Sequence, residues 1–124
     1  MTTPESKIKK SVNKLLSKYP NVWWFMPTQH GFGAAGLDYH CLIRVEGDDP
    51  IAFFIETKDP DKWLTPRQEV LVDLLRNNFG ARIFIIQNDN DLKTLSNWLE
   101  SRSRYNYNIK QQRRGLLAAR NLKV

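Results

Sequence analysis

The stretch that decides the fold is GLDYHCLIRVEGDDPIAFFIETK, residues 36–58. Leu37 to Val45 reads as a strand, Ile51 to Lys58, rich in β-branched and aromatic residues, as a second, and Glu46-Gly47-Asp48-Asp49-Pro50 between them as a turn. Two strands joined by so short a connection must run antiparallel. Side chains alternate along a strand, so Glu56 and Lys58 project from one face. Pairing Val45 with Ile51 sets Asp38 opposite Lys58 and His40 opposite Glu56. Parity then gathers Asp38, Glu56 and Lys58 on a single face, an expectation that a slip of one residue would undo.

Toward the N-terminus, Thr3-Pro4-Glu5 has the form of an N-cap, a proline at the first helical position and an acid in the first turn. Ile8, Val12, Leu15, Leu16 and Tyr19 follow as one apolar stripe, predicting a helix that stops near Pro20. Val22 to Met26 suits a strand ended by Pro27, and the loop Thr28 to Gly36 carries Gly31, Gly33 and Gly36. Toward the C-terminus, Thr65-Pro66 repeats the cap-and-proline pattern. Val70, Leu71, Leu74 and Leu75 stripe a helix that ends before Gly80. Arg82 to Ile86 is nearly all apolar, as a buried strand would be. Asp91 to Arg104 predicts a last amphipathic helix with Leu92, Leu95, Trp98 and Leu99 inward. The order α-β-β-β-α-β-α describes an α/β or α+β sandwich around a mixed sheet.

A chain of 124 residues with 41% hydrophobic content suffices for one core. Cys41 is the single cysteine, which excludes an intrachain disulfide and a thiol zinc cluster. His30 and His40 are too few for a His-rich metal site. No apolar run is long enough to span a membrane and no secretory h-region opens the chain, so no membrane partner is expected and a reduced, cytoplasmic setting is.

Charge divides the chain into a body, residues 1–100, and a tail, residues 101–124. The body holds 12 Lys/Arg against 13 Asp/Glu, and the tail holds seven bases and no acid. A basic tail suits a polyanion such as DNA, with Arg102, Arg104, Lys110, Arg113 and Arg114 as candidate phosphate contacts; a solubilising terminus reads equally well. Tyr105 and Tyr107, interleaved with those bases, fit nucleic-acid contact or an oligomer interface.

Asp38, Glu56 and Lys58 are unusual residues for a core hairpin, since all three have low strand propensity and are rarely buried unpaired. An exposed strand end with a Glu–Lys ion pair is the structural alternative. The chemical reading is that one or two carboxylates hold Mg²⁺ or Mn²⁺ against a phosphate while a neighbouring ammonium orients water or balances charge.

Gly36-Leu37-Asp38, a gap, then Ile55-Glu56-Thr57-Lys58 resembles the G-x-D … (D/E)-x-K signature of PD-(D/E)xK nucleases. Thr65-Pro66-Arg67-Gln68 and Gly80-Ala81 before the last strand make the chain similar to the VRR-NUC branch, in particular its small stand-alone phage members. The similarity covers residues 5–99, with Leu37 standing where the family has proline. It implies a restriction-endonuclease-like core, a central mixed sheet flanked by helices, and a metal-dependent DNA endonuclease. The same resemblance implies Asp38 and Glu56 as metal ligands with the Thr57 carbonyl as a third, Lys58 as partner of the catalytic base, and Gln68 as an active-site glutamine. Glu5 matches an acid that many members carry on the first helix. A homodimer acting on branched or junction DNA follows by the same analogy. The rival from another class is a non-catalytic DNA-binding or replication-accessory protein on the same fold.

Overall fold

Helix α1, Pro4–Leu16, starts where Thr3 adopts extended backbone and its hydroxyl accepts the Ser6 N–H at 3.0 Å. It is the first element of a computed structural model that describes residues 3–28, 36–45 and 47–103. Strands β1 (Val22–Phe25), β2 (Tyr39–Ile43) and β3 (Ile51–Thr57) follow, then α2 (Pro66–Phe79), β4 (Arg82–Ile86) and a third helix, α3, over residues 89–103. The basic tail beyond residue 103 and the loop residues 29–35, with His30, lie outside the described residues.

The strands form one mixed sheet in the order β1-β2-β3-β4, antiparallel through β1, β2 and β3 and parallel between β3 and β4. Helices flank both faces, which makes this an α/β fold. Against one face, Val12, Leu15 and Leu16 of α1 and Leu95 and Leu99 of α3 bury Tyr39, Cys41, Ile43, Phe53, Ile55 and Ile86. Against the other, Val72 of α2 packs with Leu37, Leu64 and Ile83. β4 is an edge strand, yet alternate side chains reach both cores: Phe84 and Ile86 toward α1 and α3, Ile83 and Ile85 toward α2. Both faces are therefore apolar, and for that reason the strand reads as continuously hydrophobic.

The hairpin register differs from expectation by two residues. Ile43, not Val45, pairs with Ile51, and Tyr39 pairs with Ile55. Pro50 offers no N–H to a ladder, and Val45 turns inward, its carbonyl accepting the Asp48 N–H at 3.2 Å. Strand pairing therefore stops two residues earlier than expected on the β2 side, while β3 still starts at Ile51. Carried one pair past Tyr39, the register sets Asp38 opposite Glu56 rather than Lys58, and His40 opposite Phe54. A shift of two preserves parity, so His40 and Glu56 keep their assigned face, while Asp38 and Lys58 lie just outside the strands.

Candidate functional site

Asp38 stands at the N-terminal end of β2 and Glu56 near the C-terminal end of β3, side by side as that register requires. Their carboxyls stand close enough to shift one another's pKa in opposite directions, so that Glu56 is the acid that keeps a proton. Burial at 2% exposure, the hydrogen bond to Asp38 and the charge of Asp38 push its pKa up to about 9; Lys58 opposes the rise and Glu5 adds to it. Burial would raise Asp38 as well. The hydrogen bond with Glu56, then those from Thr57, and the Lys9 ammonium outweigh burial and hold Asp38 below the usual carboxylate range.

Each carboxylate is fixed from a second side. Asp38 Oδ2 accepts both the Thr57 N–H at 2.9 Å and the Thr57 hydroxyl at 2.7 Å. Glu56 Oε2 accepts from Gln68 Nε2 at 3.0 Å. That amide has little choice of orientation, because Gln68 Oε1 accepts the Thr65 N–H at 3.0 Å and the Gln68 N–H returns a bond to Thr65 Oγ1 at 3.2 Å. This reciprocal capping box starts α2 and aims the remaining donor at Glu56.

The first turns of two helices thus border the acid pair: α1 through Glu5, whose charge Glu56 feels, and α2 through Gln68. Helix N-termini carry partial positive charge and favour anions. Lys58 continues the strand with its N–H on the Ile86 carbonyl at 3.0 Å, and its ammonium is near enough to stabilise the Glu56 anion.

Of the residues predicted from sequence, Asp38, Glu56, Lys58 and Gln68 come together. Glu5 is electrostatically in range, but among the described residues no three His, Cys, Asp or Glu side chains converge tightly enough to hold a metal ion. Thr57 contributes through its N–H and hydroxyl, holding Asp38; its carbonyl as a ligand rests on the resemblance alone. Arg102 stacks over Trp98 at 5.9 Å, with Arg82 on the same ring at 5.3 Å. Trp98 packs on Phe53, four residues of β3 before Thr57 and on the face opposite Glu56, so Arg102 is remote from the acid pair. Arg104, Lys110, Arg113 and Arg114 lie outside the described residues. Cys41 is buried in the core, and of the tandem tryptophans Trp24 packs inward on Tyr39 while Trp23 is exposed.

Sequence reading passed over Lys9, whose ammonium stands 4.0 Å from Asp38 Oδ1. The available clue was its spacing of four from Glu5, which puts both on one side of α1. It also missed the Thr57 hydroxyl, for which a buried threonine at a strand end gives no distinctive pattern.

No protein-family model, curated protein or solved structure matches the chain. Among the described residues no helix is long and apolar enough to cross a membrane.

The donor set bears on a divalent cation directly. Two carboxylates of which one keeps a proton are held as neighbours against their mutual repulsion, and a cation relieves the same repulsion. Mg²⁺ keeps several waters and is commonly bound by one or two carboxylates, so Asp38 and Glu56 fit it without a third acid.

Proposed function

We propose that this chain is a divalent-metal-dependent nuclease acting on DNA, with Mg²⁺ or Mn²⁺ held by Asp38 and Glu56. The observation that carries the reading is the Asp38–Glu56 pair, with Glu56 buried and Asp38 partly exposed, anchored by Thr57 and Gln68 and flanked by Lys58. A fold stabilised only by packing gains little from placing two acids in contact with one another, whereas a phosphodiesterase requires them. The bound metal would polarise a phosphoryl oxygen and lower the pKa of a coordinated water.

The chain's own groups supply the rest. Thr57 keeps Asp38 ionised and in place, and Gln68 fixes the rotation of the Glu56 carboxyl. Lys58 favours the Glu56 anion and offers an ammonium for charge developing on the phosphate. The two helix starts add a field that favours a phosphate in the same place. The G-x-D … E-x-K resemblance points to the same chemistry, and the basic tail to a nucleic-acid backbone. A homodimer has a candidate surface in Val70 and Leu74, one turn apart on α2 and exposed at 68% and 44%.

The test is incubation with linear and branched DNA in Mg²⁺, Mn²⁺ or EDTA, repeated with Asp38→Asn and Lys58→Ala. Metal-dependent cutting lost in both variants supports the reading. Metal-independent binding with no cutting of any substrate overturns it and leaves a DNA-binding protein.

A further inference from the structure

Helix α2 packs over the β3–β4 half of its face of the sheet, and among the described residues no helix packs on the aromatic β1–β2 half. Trp23 and Phe25 of β1 lie directly across from Leu42 and His40 of β2, and His40 lies across from Phe54 of β3. The rings touch in sequence: Trp23 to Phe25 at 5.2 Å between centroids, Phe25 to His40 at 5.3 Å, His40 to Phe54 at 5.2 Å. Phe54 anchors this ladder in the α2 core, while Trp23 is 56% exposed, Phe25 41% and Leu42 42%. Single exposed apolar residues are ordinary, but a contiguous row of rings in water marks a binding surface.

Two observations select the occupant. The ladder is continuous with the acid pair, since Phe54 precedes Glu56 by two residues on the same face of β3 and Asp38 stands just before β2, two residues from His40. Two strand residues span about 7 Å, close to the spacing of neighbouring phosphates in an extended nucleic-acid strand. Cations also stand at both ends. Exposed Arg44 shares a surface hollow with Trp23 and Leu42 at the far end, and Lys58 stands beside Glu56 at the near end. Flat apolar groups strung on a polyanion satisfy rings and cations together, which an apolar protein face would not.

We infer that Trp23, Phe25 and His40 form a stacking platform for unpaired bases of a single-stranded nucleic acid, and that its backbone runs on toward Asp38 and Glu56. This rests on reading the acid pair as a phosphodiester site, and it narrows the substrate to strands with unpaired nucleotides beside the scissile phosphate. Bases within a duplex are already stacked and paired and cannot reach the ladder. Stacking is indifferent to base identity, so the platform selects strand state rather than sequence.

The experiment is tryptophan-fluorescence titration of the full chain in EDTA, which prevents cutting. The probes are an oligothymidylate, an abasic strand of equal length and a blunt duplex. The oligothymidylate should quench wild-type fluorescence and bind about tenfold more tightly than the abasic strand. Trp23→Ala should remove most of the quenching and that tenfold difference while leaving duplex affinity and the melting temperature unchanged. Trp23→Phe should lose the quenching and keep the affinity. Equal affinity for base-bearing and abasic strands overturns the platform, as does a Trp23→Ala protein that binds the oligothymidylate like wild type. Conversion of a dimer to a monomer by Trp23→Ala with unchanged oligonucleotide affinity also overturns it and assigns the face to a second copy. If no substrate is ever cut but the base-dependent quenching persists, the platform stands and the nuclease reading fails alone.

Discussion

Gln68 donates its amide to buried Glu56 at 3.0 Å while its amide oxygen accepts the Thr65 N–H at 3.0 Å. One side chain therefore starts helix α2 and orients an acid on the neighbouring strand. The two duties separate by mutation. Gln68→Ala removes both, costing about 1 kcal/mol from the lost cap and therefore about 4 °C in melting temperature. Gln68→Glu retains a capping-box acceptor but sets a third carboxylate beside Glu56. It should start the helix as well as wild type, raise the Glu56 pKa further and lose metal-dependent cutting at neutral pH. Thermal melts and cleavage assays on both variants check this.

Glu56 makes the metal-free protein sensitive to alkali. Its folded pKa of about 9 lies above the ordinary 4.5, so between those values the folded state binds the extra proton. Stability therefore falls as pH rises through that window, by at most about 1.4 kcal/mol per pH unit for one proton. Glu56→Gln, which needs no proton, should flatten the dependence. Urea midpoints in EDTA from pH 5 to 9 measure it, and a flat wild-type curve would contradict the proton on Glu56.

A cation that takes the proton's place should reverse that penalty. At pH 8, Mg²⁺ or Mn²⁺ at a hundred times its dissociation constant should stabilise the protein by about 2.7 kcal/mol, and Asp38→Asn should abolish the gain. Affinity should rise with pH as Glu56 gives up its proton. Calorimetric titration at pH 6 and pH 8 reads both effects.

Thr57→Val keeps the shape of the side chain and deletes the 2.7 Å hydrogen bond to Asp38. With that support gone, the pKa of Asp38 should rise toward the ordinary carboxylate range. A cost of about 1.5–3 kcal/mol is expected for a hydrogen bond to a charged group. Carboxyl NMR titration and denaturant midpoints report the two quantities.

Gly80 closes α2 in the left-handed conformation, at φ 63°, with open space where a Cβ would stand. Gly80→Ala should therefore cost about 1–2 kcal/mol through backbone strain alone. Far-UV circular dichroism should be unchanged while the melting temperature falls.

Much of this architecture is legible along the chain. Thr3-Pro4 and Thr65-Pro66 mark the starts of α1 and α2, and Gly80 marks the end of α2, because caps and left-handed turns depend on a few adjacent residues. Alternation predicted one face for Asp38, Glu56 and Lys58, and within the strands parity survived a hairpin shifted by two residues. Which residues sit opposite was not legible, because it depends on where Val45 turns inward and pairing stops before Pro50. The contact of Gln68 with Glu56 depends in turn on how α2 lies over β3.

Local backbone preference and side-chain alternation, both properties of neighbours in sequence, determined the elements, their order and the face of β3 that Glu56 occupies. Tertiary structure alone decided that Glu56 keeps a proton beside Asp38, that Lys9 reaches Asp38 from α1, and that Trp23 is exposed while Trp24 is partly buried. Those outcomes depend on burial and on distances between groups far apart in the chain. Electrostatic energy and packing follow separation in space, which no spacing along the sequence encodes.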